Sequence, residues 1–179
     1  MCWYKSGRIL LLFLLLAAAS CAPETKNDKG QLSYFDIKKY FTDEAARLSK
    51  KYPHITKTVS YNGQQETKKV AIKHWQQELN LFIESDINKP AWKNSYIIYK
   101  CDTGITYLNV DSTLHTRQLT VLLKKDKVTG IKVDNVTDNM LYQTTESLVY
   151  YPDSLYVIEK HQKVRLLGRN DYKITGKFK

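Results

Sequence analysis

The sequence predicts an α+β domain: two N-terminal helices packed on a curved, mainly antiparallel meander sheet of about seven to nine strands. Three observations carry this reading. Residues 33–52 and 72–87 repeat apolar side chains at helical spacing. From Trp92 onward, short alternating runs are separated by tight-turn residues. No helix-length segment follows Pro90, so nothing is available to cross over between parallel strands.

Each element has its own signal. Ser33 and Asp36 pair as a cap for a helix over 33–52, with an acid three residues after the serine. Ile37, Phe41, Leu48 and Tyr52 recur along it, with Ala45 between them. Lys50 and Lys51 suit the negative end of the helix dipole, and Pro53 stops the helix. Ile55 to Tyr61 then reads as a strand with Ile55, Val59 and Tyr61 on one face. Asn62-Gly63 tolerates the positive φ of a type I′ hairpin turn, and the polar return over Gln64–Val70 suits an edge. Ile72, Trp75, Leu79, Phe82 and Ile83 stripe a second helix over 72–87, which Pro90 terminates. Strands follow over 95–102, 105–110, 118–124, 130–136, 140–151, 155–158, 163–167 and 172–178.

The first twenty residues have a different character. Lys5 and Arg8 precede an apolar run from Ile9 to Ala19, then Ala18, Ala19 and Ser20 lead to Cys21. This is the basic, apolar, small-residue layout of a secretory signal, too short to span a bilayer. Ala19, Ser20 and Cys21 resemble the lipobox of bacterial lipoproteins. That resemblance implies cleavage before Cys21, which becomes the mature first residue and carries acyl chains such as palmitate. Ala22 after the cysteine implies sorting to the outer membrane. No acidic cluster follows it, so the domain is expected to face the periplasm. The expected organisation is a signal over residues 1–20, a flexible polar tether over 21–31 and one α+β domain over 32–179.

The segment from His74 to Trp92 resembles a family of uncharacterised outer-membrane lipoproteins of Bacteroidetes. Trp75, Glu78-Leu79, Phe82 and Asp86-Ile-Asn-Lys-Pro90 carry the likeness, with Tyr156-Val-Ile158 and Tyr172-Lys-Ile-Thr-Gly176 later in the chain. The resemblance brings no activity with it, so no functional residue transfers.

Charge and motifs narrow the function. Losing residues 1–20 removes two of the 28 basic residues and none of the 18 acidic ones, so the formal charge falls from +10 to +8. The lysines are dispersed pairs rather than a run, which argues against a nucleic-acid partner. His54, His74, His115 and His161 show no metal-ligand spacing, and no phosphate loop or nucleophile elbow occurs, so no metal or cofactor is expected. Cys101, in the apolar run Tyr96-Ile-Ile-Tyr-Lys-Cys101, reads as a small buried hydrophobe. The polar groups of Asp86-Ile-Asn-Lys-Pro90 suit a pocket where helix meets sheet, but Asp86 and Asn88 read first as caps of the helix end. Asp111-Ser-Thr113 and Asp153-Ser-Leu155 resemble the short O-glycosylation signal of Bacteroidetes periplasmic proteins.

Thirteen tyrosines suit half-buried strands, and they also suit a concave face that holds a glycan or lipid. Tyr142, Tyr150, Tyr156 and Trp92 are the candidate ligand-facing residues. The expectation is a non-catalytic, membrane-anchored binding or envelope-assembly module whose partner is an envelope protein, lipid or glycan. One alternative is an apolar-ligand carrier resembling the lipoprotein carriers LolA and LolB. The other is an envelope hydrolase using Cys101 or a histidine beside a carboxylate.

Overall fold

The computed structural model describes residues 32–52 and 54–178; the signal segment, Cys21 and the tether lie outside the described residues. The described chain is a mixed α+β fold with one nine-stranded antiparallel sheet and few helices.

Helix α1 is Ile37–Lys51. It begins later than a Ser33 cap predicts, because Asp36 does the capping: its Oδ1 accepts from the Lys39 amide at 2.8 Å. The amides before it are committed elsewhere. Tyr34 N–H donates to Asn88 Oδ1 at 3.0 Å, and Phe35 N–H to the Tyr107 hydroxyl at 3.2 Å. Residues 34–35 are thereby tied to the rest of the domain, and the helix starts only after them. Ile37, Phe41, Ala45 and Leu48 are buried as the spacing predicts, and so is Glu44.

The second helical segment is broken. Helix α2 is Trp75–Glu78 and helix α3 is Asn80–Glu84, with Leu79 between them at φ −98° and ψ 13°. The Phe82 amide turns back to Leu79 O at 3.1 Å, a tightened three-residue step. Asn80, whose side chain competes with the helical backbone, stands just past the break. Trp75, Leu79 and Phe82 are nevertheless all buried, so the stripe that predicted one helix still describes the packing.

The strands are β1 (His54–Tyr61), β2 (Gln64–Ala71), β3 (Tyr96–Cys101), β4 (Gly104–Asn109), β5 (Thr116–Lys124), β6 (Lys127–Asp138), β7 (Tyr142–Tyr151), β8 (Leu155–Val164) and β9 (Gly168–Lys177). Their order in the sheet is β2-β1-β9-β8-β7-β6-β5-β4-β3. From β3 to β9 the chain meanders between neighbours. The β1–β2 hairpin then docks on β9, for instance through Val59 opposite Ile174. Its turn has φ 48° at Asn62 and φ 85° at Gly63, as a type I′ turn requires. β2 is an edge strand, as its polarity predicts, and β3 is the other edge.

Two expectations need correction. The separate strands over 155–158 and 163–167 are one strand, β8, and the turn to β9 falls before Gly168 rather than after it. The polar run His161-Gln-Lys163 looks like a loop in sequence, yet it pairs with β7 and β9 throughout. Cys101 is exposed rather than buried, because it ends the edge strand. Its thiol meets Thr103 Oγ1 at 3.3 Å and Gly104 O at 3.4 Å, and the Thr103 hydrogen bond draws the thiol pKa below its usual value.

The helices pack on one face of the sheet. Ile131, Val133, Leu148, Tyr150, Tyr156 and Ile158 on that face are at most 6% exposed. Phe41 meets Phe82 at 4.5 Å and Tyr150 at 5.2 Å between ring centroids. Phe178 lies within 6.1 Å of Tyr52, Trp75, Tyr150 and Tyr156. Each such ring contributes about 1.5–3 kcal/mol by leaving water. Gly176 stands directly opposite Tyr156, and a Cβ there would overlap the Tyr156 ring. No helix among the described residues is long and apolar enough to cross a membrane.

Candidate functional site

Two carboxylates fasten the helices to the sheet. Tyr150 and Tyr156 are cross-strand partners on β7 and β8. The Tyr150 hydroxyl donates to Glu44 of α1, and the Tyr156 hydroxyl donates to Glu78 of α2. Glu44 also accepts from Arg47 Nε at 2.7 Å and Nη2 at 2.6 Å, and Arg47 continues to Asp153 at 2.8 Å. Lys51 reaches the same Asp153 at 3.1 Å, and Lys57 pairs with Glu78 at 2.6 Å. Burial and the adjoining carboxylate push both phenols above their ordinary pKa. The structure therefore places Tyr150 and Tyr156 in the core, with their hydroxyls committed to Glu44 and Glu78.

The other two predicted residues lie apart from this pair. Tyr142 starts β7 at the far end from Tyr150, 36% exposed, with its amide held by Asn139 Oδ1 at 3.0 Å. Trp92 lies in the connection between α3 and β3, half-buried under the Lys89 ammonium at 4.0 Å. Its neighbourhood anchors the segment that leads into α1. Asn88 Nδ2 donates to Phe35 O at 3.0 Å, and the Tyr34 hydroxyl donates to Lys93 O at 2.6 Å.

Farther along the helix-facing side of the sheet, burial gives way to a polar strip. Asn135, Glu146, Lys160, Tyr172 and Tyr61 are successive cross-strand partners on β6, β7, β8, β9 and β1. Beside them run Thr137, Thr144, Gln162 and Asn170. At one end of the strip Asn135, Thr144 and Glu146 are buried; at the other, Tyr61 is 44% exposed and stacks on Tyr172 at 4.7 Å. Lys160 Nζ lies 3.0 Å from Glu146, His115 Nε2 lies 4.0 Å away, and Asn135 Nδ2 reaches Ser85 Oγ at 2.9 Å. Thr116, also buried, donates toward Ser85 O at 3.4 Å. Sequence reasoning missed this strip. Its readable signal was a carboxylate on an alternating run: Thr144, Glu146, Leu148 and Tyr150 share one face.

No known protein family, curated protein or solved structure matches this chain. Its function must therefore be read from its own geometry.

The remaining histidine–carboxylate contact lies on the opposite face. His161 Nδ1 is 2.6 Å from Asp171 Oδ1, and Arg169 Nε holds the same carboxylate at 3.0 Å. These hydrogen bonds, His161 first, lower the Asp171 pKa. His161 borders a shallow depression with Thr145, Lys163 and Arg169. Among the described residues no hydroxyl or thiol bonds its other nitrogen, so a nucleophile–base pair is not assembled there. Asp111 bonds Thr113 within its own exposed turn, while Asp153 is taken up by Arg47 and Lys51.

Proposed function

We propose that this chain is a membrane-anchored, periplasm-facing, non-catalytic binding module of the cell envelope. It is lipidated at Cys21, tethered by residues 21–31, and presents the strip from Glu146 to Tyr61 to an envelope partner. One observation supports this above the others. The helices fill half of one sheet face with aromatic rings, and the other half carries a buried carboxylate, a lysine and stacked tyrosines. Fold stability alone does not call for such an arrangement. It resembles the mixture of rigid rings and oriented polar groups found in binding sites.

The carrier alternative needs an apolar cavity under the helices. Phe41, Phe82, Trp75 and Phe178 occupy that space, which favours a surface binder. The finer architecture belongs to the same reading. The sheet curves around α1 and the paired short helices.

The experiment is fractionation of cells producing the full chain and its Cys21→Ser variant. The parent should stay with the membranes and incorporate a labelled fatty acid, and the variant should do neither. A variant still firmly membrane-bound and labelled would overturn the anchor.

A further inference from the structure

We infer that the two hairpin tips at residues 139–141 and 165–167 form a surface that settles into a lipid bilayer. The inference rests on the membrane-anchored reading of the chain and adds a second membrane contact, one that fixes how the domain stands.

Four side chains carry it. Leu166 is 93% exposed, Met140 84%, Leu167 82% and Leu141 72%, the highest values among the large apolar residues described. Met140 and Leu141 lie between β6 and β7, and Leu166 and Leu167 lie between β8 and β9. The two tips stand together, because Arg165 N–H donates to Leu141 O at 3.1 Å. The turns themselves do not call for these side chains. Asn139 shapes the first, its Oδ1 accepting from the Leu141 and Tyr142 amides at 3.0 Å each. Gly168, at φ 87°, closes the second. The tips thus hold apolar groups in water that their backbone does not need.

Position selects the occupant. At one end of the sheet the turns over residues 102–103, 125–126 and 152–154 carry no large aliphatic side chain. The other end holds both tips, Val110 at 59% exposure and the start of β3. The described chain begins at that same end. Tyr34 packs its ring on Tyr96, the first residue of β3, at 5.3 Å, and Leu32 lies two residues before it. Ten residues separate Leu32 from Cys21, so a lipid on Cys21 lies within about 40 Å of Leu32 even with the chain fully extended.

Charge and shape agree with a bilayer. Residues 138–142 and 163–169 contain three basic side chains, Lys163, Arg165 and Arg169, and one acid, Asp138. The balance stays positive after counting Asp171, which holds Arg169 at 3.0 Å. A basic rim is drawn to anionic headgroups while aliphatic side chains enter the acyl boundary. Narrow projections also suit a fluid, which closes around them; a stable protein partner needs a broader fitted surface.

The test places a tryptophan reporter on the full chain, at the tip in Leu166→Trp and at the opposite end in Asp126→Trp. Each is reconstituted into vesicles of phosphatidylethanolamine and phosphatidylglycerol whose acyl chains carry bromine, and its emission is read against the parent chain. The emission added by Leu166→Trp should shift to the blue and be largely quenched, and that added by Asp126→Trp should not. Serine at Met140, Leu141 and Leu167 together should reduce the inserted population of Leu166→Trp about tenfold or more, with the melting temperature unchanged. Four results would each overturn the inference: no quenching at the tip, equal quenching at both ends, quenching indifferent to the three serines, or a blue shift at the tip without quenching, which would assign the tips to a protein surface. Cys21→Ser fractionation judges the anchor separately, so a chain that is anchored yet unquenched loses only the tip contact.

Discussion

Tyr150 spends its hydroxyl on Glu44, whose other hydrogen-bond partner among the described residues is Arg47. Tyr150→Phe keeps the ring and removes one partner from a buried charge. We expect a loss of about 1–3 kcal/mol in urea denaturation, with little change in the slope. The acid and alkaline limits also belong to single residues. Burial raises the Asp153 pKa, but the hydrogen bonds from Arg47 and Lys51 outweigh it and the net shift is downward. A depressed carboxylate stabilises the fold above its unfolded value of about 4 and loses that contribution as pH falls through the folded value. Asp153→Asn should therefore flatten the acid limb of a stability–pH curve. For Tyr150 and Tyr156 the sign is opposite. Their folded pKa values are raised, so their contribution is complete below about pH 10 and is lost as pH rises beyond it. Their tyrosinate absorbance should appear only with unfolding. Cys101 should react with a thiol reagent in the native protein, and protection until denaturant is added would contradict its exposure.

Turns and close approaches decide matters at the level of the element. The β5–β6 turn places Lys125 at φ 51° and Asp126 at φ 59°, a conformation costly for both residues. Replacing them with Asn-Gly, as the β1–β2 turn already has, should stabilise the protein by up to about 1 kcal/mol in thermal melts. Gly176→Ala should cost about 1–3 kcal/mol through collision with Tyr156, and part of that loss should vanish in a Tyr156→Leu background.

Legibility varied among the elements for a physical reason. Asn62-Gly63 predicts its hairpin because only certain residues accept that backbone. The β5 and β6 alternation is readable because one of their faces is buried. β8 loses its pattern at Lys160-His-Gln-Lys163, where the helices no longer cover the sheet and both faces meet water. The candidate site occupies that same region, so the pattern that reveals strands fades where the function is proposed. Tyr150 and Tyr156 are expected from sequence to face a ligand, because nothing in their own strands says that a helix lies above them. Glu44 could have been found, because it sits on the Phe41–Leu48 stripe where an apolar side chain is expected.

The molecule as a whole has two unlike edges. β2 carries Glu66, Lys68 and Lys69, which discourage another strand from adding to it. β3 carries Ile97, Ile98 and Tyr99, each at least 42% exposed. We expect concentration-dependent association to begin at β3. Ile97→Lys should reduce it in sedimentation velocity, and unchanged association would move the contact elsewhere.

The pairing of β1 with β9 has a consequence in time. Early and late parts of the described chain must meet before the sheet is whole, and Phe178, just past β9, completes the ring cluster around Trp75 and Tyr52. β9 follows the other eight strands in chain order, so the β1–β2 hairpin waits for all of them before it can dock. Such long-range closure is slow. If the chain is exported as proposed, that delay works in its favour, because a polypeptide that cannot close its core until its ninth strand has emerged stays threadable while it is being moved.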